Sequence, residues 1–172
     1  MALVRTIGEH SPSIDPAARL APNAVIAGQV DLGPDVSVWY HAVLRSEEDR
    51  IEVGARTNIQ DAVVIHTDEG APALIGHDVQ IGHAAVLHGC TVEPGVLIGM
   101  SATLLNGSRV RSGSVVAAGS VVLPTCDAPE GWLIAGVPAR PVRPVNEVEQ
   151  HWLATGCEAY VRRAAAHGFE AR

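Results

Sequence analysis

Aliphatic residues recur at every sixth position along most of the chain. The period is unbroken in two long runs, Leu20, Ile26, Leu32, Val38, Leu44 and Val92, Ile98, Leu104, Val110, Val116, Val122. In both runs the fourth position after the aliphatic residue is small or β-branched, and along the repeat region as a whole glycine follows the aliphatic residue at five places, Gly33, Gly54, Gly76, Gly82 and Gly99. A helix repeats at 3.6 residues and a two-faced strand at 2, so neither fits a period of six. The pattern predicts an all-β solenoid whose short strands each bury one large and one small side chain.

The repeat, aliphatic-Gly-x-x-small-x, resembles that of the hexapeptide-repeat proteins. This resemblance implies a left-handed parallel β-helix of triangular cross-section with three repeats in each coil. The seventeen repeats of residues 10–123 then give between five and six coils. Three extra residues between Leu44 and Val53 and four between Ile65 and Ile75 interrupt the period. Because insertions leave the regular scaffold, we expect both to form surface loops.

The six-residue period ends after Leu123. Residues 124–145 are rich in proline and are expected to form an extended connecting segment. Asn146, followed three residues later by Glu149, has the spacing of a helix capping box. A C-terminal α-helix is therefore predicted over residues 146–168, packed on the solenoid or on a neighbouring copy. The chain is predicted to form one domain with a helical appendage.

Composition narrows the class of protein. Hydrophobic residues make up 47% of the 172 residues and aromatic residues only 3%, as a narrow core of small aliphatic side chains requires. The net charge of −7 argues against nucleic acid as a partner. All twelve basic residues are arginine, so chemistry that depends on lysine is excluded. There is no membrane-spanning apolar run, no secretory signal pattern and no paired spacing of the three cysteines, so we expect a cytoplasmic protein.

Two histidines are placed together by the repeat. In a coil with three sides every third repeat stacks on the same side, which puts Arg45, His66 and His88 on one line. Neighbouring strands lie about 4.8 Å apart, so the two imidazoles should form an outward-facing chelating pair. His83 lies on another side, so it can reach the same ion only from an adjacent copy. Three imidazoles with one open position are typical of catalytic zinc. The alternative is that all three are ordinary surface histidines.

Two segments, Asn58–His66 and Ile81–Cys90, resemble the signatures of γ-class carbonic anhydrases. Leu44–Glu47 resembles the family's Arg-Gly-Asp-type segment, and Ala135–Arg140 resembles the exit motif of many hexapeptide-repeat proteins. The likeness covers about residues 10–165. It implies an enzyme that reversibly hydrates CO2 to bicarbonate with a zinc-bound hydroxide at the interface of a homotrimer. Because imidazole also suits iron and cobalt, Fe2+ and Co2+ are alternatives to Zn2+.

The resemblance assigns the metal ligands and the residues closest to them. It makes His66, His83 and His88 the zinc ligands, with His83 contributed by the adjacent subunit. Gln60 matches the residue that hydrogen-bonds the hydroxide, and the alternative is that it only satisfies backbone groups. Asn58 matches a structural asparagine beside these residues.

Four further residues receive roles from the same resemblance. Arg45 and Asp61 match an ion pair at the subunit interface, which either contributes to catalysis or only holds the trimer together. Glu47 stands where the family has aspartate, so it is one methylene longer, and it is a candidate for relaying protons. Tyr160 resembles a tyrosine of the C-terminal helix that approaches the metal in short members of the family.

Three other functions remain open at this point. The chain also resembles metal-containing homologues from phenylacetate and carnitine operons, which implies hydrolysis of acyl-coenzyme A thioesters. Acyl transfer, known from other hexapeptide-repeat enzymes, is less favoured because those enzymes use a single histidine base. A non-catalytic trimeric scaffold is the alternative of a different class, although a scaffold does not require three aligned histidines.

Overall fold

The chain winds into a parallel β-solenoid with one α-helix towards its C-terminal end. The structure is a computed structural model that describes residues 1–171. One side of the coil is a sheet of seven stacked parallel strands, β3 (Arg19–Leu20), β5 (Ser37–Val38), β7 (Asn58–Ile59), β10 (Gln80–Ile81), β13 (Leu97–Ile98), β16 (Val115–Val116) and β18 (Trp132–Gly136). Two antiparallel strands border this first sheet, β19 (Ala139–Pro144) and β20 (Glu170–Ala171).

The other two sides of the coil form a second sheet of eleven strands. Its members are β1 (Leu3–Arg5), β2 (Ser13–Ile14), β4 (Val25–Leu32), β6 (Val43–Val53), β8 (Val64–His66), β9 (Ala73–Ile75), β11 (Val86–His88), β12 (Thr91–Val92), β14 (Thr103–Leu104), β15 (Arg109–Val110) and β17 (Val121–Val122). The long strands β4 and β6 continue from one side onto the next, which joins the two sides into one sheet. The predicted fold class, a parallel β-helix with a C-terminal α-helix, is confirmed.

The solenoid has about seven turns, so the expected number of five to six was wrong. Strand β1 already pairs with β4 before the first recognisable repeat, and β18 pairs with β16 after the last one. Strand β18 keeps the spacing of a coil, since Ile134 lies 18 residues after its partner Val116 and is fully buried. Strand β1 does not, since Val4 lies 22 residues before its partner Ile26. Strand pairing therefore continues past both predicted limits of segment 10–123 and into residues 124–145.

The aliphatic residue of each repeat points into the coil, as predicted. Five such residues on one side are fully buried and stack directly on one another, Ile26, Leu44, Ile65, Leu87 and Leu104. Burial of a side chain of this size contributes about 1.5–3 kcal/mol. Within the described part of the chain, this main core contains no aromatic residue, which explains the low aromatic content.

The insertion before Val53 lies inside a strand, contrary to the expected loop. Strand β6 runs without interruption through it, and its register against β4 shifts between Gly28 and Val30. The buried hydroxyl of Ser46 donates to the carbonyl of Asp49, which closes the extra residues into a bulge. Because both ends of β6 stay paired with β4, the insertion does not need to leave the coil.

The insertion between Ile65 and Ile75 forms the expected surface loop. An antiparallel bridge between Asp68 and Ala71 closes it. The loop leaves the coil directly after His66, so its first residues lie beside the line of histidines. Short loops on a rigid scaffold hold their side chains in defined positions, which makes this loop a candidate for function.

Helix α1 (Glu147–Ala166) packs against strands β5, β7 and β10 of the first sheet. Its predicted capping box is present, because Asn146 accepts a hydrogen bond from the backbone of Glu149 and the carboxylate of Glu149 accepts one from the backbone of Asn146. The helix buries Cys157 and Ala164. No helix in the described part of the chain combines the length and the apolar character needed to cross a membrane.

Replacement of Glu149 by glutamine is expected to lower the free energy of unfolding by about 1 kcal/mol near pH 7. Hydrogen bonds from the guanidinium of Arg143 lower the pKa of the buried Glu149 carboxyl. A carboxyl with a lowered folded-state pKa stabilises the fold above its unfolded-state pKa, and this contribution disappears as the pH falls through the folded-state value. Urea unfolding near pH 7 and near pH 3 measures the difference, which should shrink in acid.

The matched control for this prediction is Glu147→Gln. Glu147 carries the same charge in the same first turn of the helix but is exposed. Its replacement should change the stability by less, and with little dependence on pH. An equal loss of stability at both pH values in Glu149→Gln would contradict the assigned role of the Arg143–Glu149 pair.

Candidate metal centre

Three residues predicted to share one line of the coil do so. Arg45 pairs with His66, and His66 pairs with His88, across strands β6, β8 and β11. The centroids of the two imidazole rings are 4.9 Å apart, and Nδ1 of His66 faces Nε2 of His88 at a distance of 2.9 Å. Both side chains are partly exposed on the outer face of the coil. The stacking expected from the register of the repeats is therefore observed.

The remaining nitrogen of each ring also has a partner. Nε2 of His66 lies 3.1 Å from a carboxylate oxygen of Glu47, which also pairs with Arg45. Nδ1 of His88 lies 2.5 Å from the amide oxygen of Asn106. One nitrogen of each ring thus faces the other ring while the second nitrogen is held by a neighbour. We call Arg45, Glu47, His66 and His88 the histidine-pair half of the site.

Glu47 is held as a carboxylate by its two neighbours. Burial raises the pKa of its carboxyl, but hydrogen bonds from Arg45 and His66 outweigh that effect and leave the pKa lowered. A carboxylate bonded to one nitrogen of an imidazole fixes the orientation of the ring and makes the other nitrogen a better metal ligand. Glu47 therefore supports Nδ1 of His66 as the nitrogen available to a metal.

His83 lies on a different corner of the coil. It follows β10 of the first sheet, whereas His66 and His88 end strands of the second sheet. Its Nδ1 lies 2.8 Å from a carboxylate oxygen of Asp61 on the adjacent coil. Among the described residues, the potential ligand atoms that lie within 4.8 Å of one another here belong to His66, Asp68 and His88. A single chain therefore does not bring the three histidines together.

Two further predicted residues lie near the corner of His83. Asn58 and Gln60 are buried, and the amide nitrogen of Gln60 donates to Oδ1 of Asn58 at 3.0 Å. The amide nitrogen of Asn58 lies 3.7 Å from Sγ of Cys157 on helix α1. The amide nitrogen of Gln60 already donates to Asn58, so the amide oxygen of Gln60 is the atom that can accept a further hydrogen bond. We call Asn58, Gln60, Asp61, His83 and Tyr160 the His83 half of the site.

Tyr160 borders an open groove of about 710 Å³ between helix α1 and the first sheet. Trp39 packs edge-on against its ring with 5.2 Å between the centroids, and burial raises the pKa of the Tyr160 hydroxyl. His83 and Gln60 line the same groove, whose other walls are largely apolar and include Trp152. The groove therefore connects the His83 half with the protein surface.

The sequence is similar to carbonic anhydrases from a plant and an archaeon. It is 38% identical over 168 residues to "Gamma carbonic anhydrase 2, mitochondrial" of Arabidopsis thaliana, which covers 94% of this chain and 60% of the relative. It is 42% identical over 144 residues to "Probable carbonic anhydrase" of Methanocaldococcus jannaschii, which covers 84% of this chain and 91% of the relative. The chain belongs to the γ-carbonic-anhydrase-like family of hexapeptide-repeat proteins.

A solved structure also resembles this family member along nearly its whole length. The crystal structure of a putative acetyltransferase from Bacillus cereus has a TM-score of 0.93 and 28% sequence identity, and the match covers 96% of both chains. No protein-family model matches the chain. The chain spans about 60% of the length of the Arabidopsis relative.

The ion pair that the family resemblance predicts between Arg45 and Asp61 does not form within one chain. Arg45 pairs with Glu47 in one half of the site, and Asp61 pairs with His83 in the other. Because the two partners lie on different corners, their pairing stays a prediction for the interface between subunits. Glu47 replaces the family's aspartate, and its extra methylene still allows contact with both Arg45 and His66.

Two residues beside His88 were not predicted as site residues, Asp68 and Asn106. The amide of Asn106 bridges Nδ1 of His88, at 2.5 Å, and a carboxylate oxygen of Asp68, at 2.7 Å. The repeat did contain a signal for Asn106, because Leu104 stacks on Leu87 and so brings Asn106 onto the coil next to His88. Asp68 had no comparable signal, because its loop lies outside the repeat.

The imidazole nitrogens of the histidine-pair half are suitable ligand atoms for a zinc ion. Zinc binds imidazole nitrogens at about 2.0–2.1 Å in a tetrahedron, which sets neighbouring ligand nitrogens about 3.3 Å apart. The facing nitrogens of His66 and His88 are 2.9 Å apart, so a small ring rotation gives that spacing. Cys90 is not available as a ligand, since it is buried in the core and burial raises the pKa of its thiol to about 12. Iron and cobalt suit the same imidazoles.

Proposed function

We propose that the protein catalyses the reversible hydration of CO2 to bicarbonate at a zinc ion held between the subunits of a homotrimer. The observation that carries the proposal is the division of the site, with the stacked pair of His66 and His88 on one corner and His83 with Gln60 on another. Copies that join these unlike corners form a head-to-tail contact, and such a contact generates a ring where the rotation between copies closes. The similarity to γ carbonic anhydrases supports the reaction, and the number of subunits is taken from the family resemblance.

In this proposal His66, His83 and His88 would hold the metal. A zinc ion bound by three neutral imidazoles lowers the pKa of a coordinated water to about 7, which supplies a nucleophile for CO2 near neutral pH. Gln60, whose nitrogen is held by Asn58, accepts a hydrogen bond with its oxygen and so orients the reacting water. Glu47 orients His66 from the side opposite the metal.

Stopped-flow measurement of CO2 hydration tests the proposal. Protein purified without oxygen and shown to carry about one metal ion per chain is expected to hydrate CO2 well above the rate in buffer. Chelation should remove the activity, and added zinc should restore it. Metal-loaded trimer without CO2 hydration would reject this reaction. Protein that takes up no metal would instead favour the non-catalytic scaffold.

Replacement of Gln60 by leucine is expected to lower the rate of CO2 hydration by about 10–100-fold without changing zinc affinity. Leucine keeps the volume of the buried side chain but cannot orient the reacting water. The matched control is Gln80→Leu, because Gln80 is also buried and instead donates to the carbonyl of Trp152 in helix α1. That control should affect stability more than rate. An unchanged rate in metal-loaded Gln60→Leu would remove Gln60 from the mechanism.

The groove beside His83 favours hydrolysis of an acyl-coenzyme A thioester as a second candidate function. CO2 needs far less room than about 710 Å³, and the apolar wall that contains Trp152 suits an acyl chain. The same metal-loaded protein, assayed for release of the coenzyme A thiol with and without chelator, separates thioester hydrolysis from CO2 hydration. Acyl transfer, which the name of the Bacillus cereus structure suggests for that protein, requires no three-histidine centre.

A further inference from the structure

We infer that Asn106, held by Asp68, is a positioning residue for His88. Through one hydrogen bond it determines which ring nitrogen of His88 carries a hydrogen and which has the lone pair that binds metal. The inference rests on the metal centre of the proposed function, but not on the reaction carried out there.

The chain of hydrogen bonds behind His88 has one consistent direction. A carboxylate only accepts, so Asp68 takes a hydrogen from the amide nitrogen of Asn106 at 2.7 Å. This leaves the amide oxygen of Asn106 towards His88, and because that oxygen also only accepts, Nδ1 of His88 donates to it across 2.5 Å. A neutral imidazole with its hydrogen on Nδ1 has its lone pair on Nε2. Nε2 is the nitrogen that faces His66.

The coil is shaped to admit this chain of contacts at Gly89. Gly89 directly follows His88 and has a positive φ of 51°. A Cβ atom at this position would lie 2.5 Å from Oδ1 of Asn106 and 2.8 Å from the Cβ of Ala71, so glycine lets both the amide and the loop approach. The carbonyl of Gly89 accepts a hydrogen bond from the backbone of Gly107 at 2.7 Å. This backbone hydrogen bond between Gly107 and Gly89 positions the side-chain amide of the adjacent Asn106 next to His88.

The competing explanation makes Asp68 itself a metal ligand. Its carboxylate lies within 4.8 Å of ligand atoms of both His66 and His88. However, the carboxylate lies 4.0 Å from Nδ1 of His88, which is not the nitrogen that faces His66, and it is already bonded to Asn106. To reach the space between the two imidazoles it would have to give up that bond. The geometry therefore favours an indirect role through Asn106.

Zinc affinity, measured on metal-free protein by competition with a chromophoric chelator, tests the inference. Asn106→Leu removes the acceptor at similar volume and is expected to weaken zinc binding by about 10–100-fold. The exchange of Asp68→Asn together with Asn106→Asp restores an acceptor facing His88 and is expected to bind zinc as wild type does. Asn23→Leu is the matched control, since Asn23 contacts the imidazole of His41 at 3.1 Å on a lower coil.

Nitrogen NMR of histidine-labelled, zinc-loaded protein gives a second readout. We expect His88 to carry a hydrogen on Nδ1 and zinc on Nε2, with faster exchange of that hydrogen in Asn106→Leu. Unchanged zinc affinity in Asn106→Leu, or zinc on Nδ1 of His88, would overturn the inference. So would a much larger loss in Asp68→Ala than in Asn106→Leu, which would make Asp68 a ligand.

The same measurements separate this inference from the proposed function. They use zinc alone as the probe, so wild-type protein that binds zinc without hydrating CO2 would reject the reaction and leave the role of Asn106 standing. Wild-type protein that binds no zinc would overturn both. Loss of affinity in Asn106→Leu with full recovery in the exchange variant supports the inference, because a merely structural role would not be restored by exchanging the two groups.

Discussion

Replacement of His88 by alanine is expected to remove bound zinc and CO2 hydration together. The substitution deletes one imidazole of the stacked pair and leaves Nδ1 of His66 without the nitrogen that now lies 2.9 Å away. A catalytic zinc site usually has three protein ligands. Loss of a residue that only supports a ligand typically weakens metal binding by about 10–100-fold. We expect His88→Ala, which loses a ligand itself, to weaken zinc binding by more than that and to lower the rate of CO2 hydration to that of buffer. Metal content and stopped-flow hydration are measured on the same preparation.

His77→Ala is the matched control for this experiment. His77 is also an exposed histidine of the coil, and its Nδ1 lies 2.8 Å from a carboxylate oxygen of Asp78, away from the stacked pair. It should leave metal content and rate unchanged. Because the imidazole of His88 is partly exposed and outside the core, thermal unfolding should show both variants folded. His88→Ala that keeps its metal and the wild-type rate would refute the proposed metal centre.

The line of Arg45, His66 and His88 could be predicted by counting along the sequence. Coils of a parallel solenoid stack in register, so a six-residue period converts sequence position into position on a side. A buried aliphatic residue directly precedes Arg45, His66 and His88, and these aliphatic residues fix the register of the strands. A slip of one residue would turn each aliphatic side chain towards solvent. The same counting put His83 on another side, where the structure places it.

Features outside the period could not be predicted in this way. The first turn contains Leu3–Arg5, which pairs with β4 at a separation of 22 residues and so lies outside the six-residue period. The last turn contains Trp132–Gly136, which keeps the 18-residue separation of a coil but follows a repeat whose aliphatic position holds only Ala128. The extra residues of β6 stay in a strand because the hydroxyl of Ser46 closes a bulge, and that contact exists only in the folded register. Asp68 meets Asn106 only because a loop folds back beside the coil.

Each half of the site already pairs its own charges within one chain. In the histidine-pair half Glu47 accepts from both Arg45 and His66, and in the His83 half Asp61 pairs with His83. Assembly of the proposed trimer therefore replaces ion pairs and hydrogen bonds that already exist within each chain, and no charged group of the two halves is left without a partner before assembly. Because neither half holds three imidazoles, we expect a single chain to bind zinc more weakly than the trimer.

Two inactive variants, His83→Ala and His88→Ala, are expected to restore activity when they are refolded together. The first variant keeps the stacked pair of His66 and His88, and the second keeps His83. If the site is shared, it is intact wherever a His83→Ala chain supplies the pair and the next chain supplies His83. Random assembly of an equal mixture produces that combination at about one quarter of the interfaces. We expect about one quarter of the wild-type rate and of the wild-type zinc content.

This recovery cannot arise inside one chain, because neither variant carries all three histidines. Each variant refolded alone, and the two mixed without unfolding, should therefore stay at the rate of buffer. Native mass spectrometry of the refolded mixture shows whether trimers containing both variants have formed. Mixed trimers that remain inactive would mean that His83 acts on the pair of its own chain or not at all, and would contradict the shared site. Recovery near one quarter would instead require that the His83 of one subunit meets the His66 and His88 of the next.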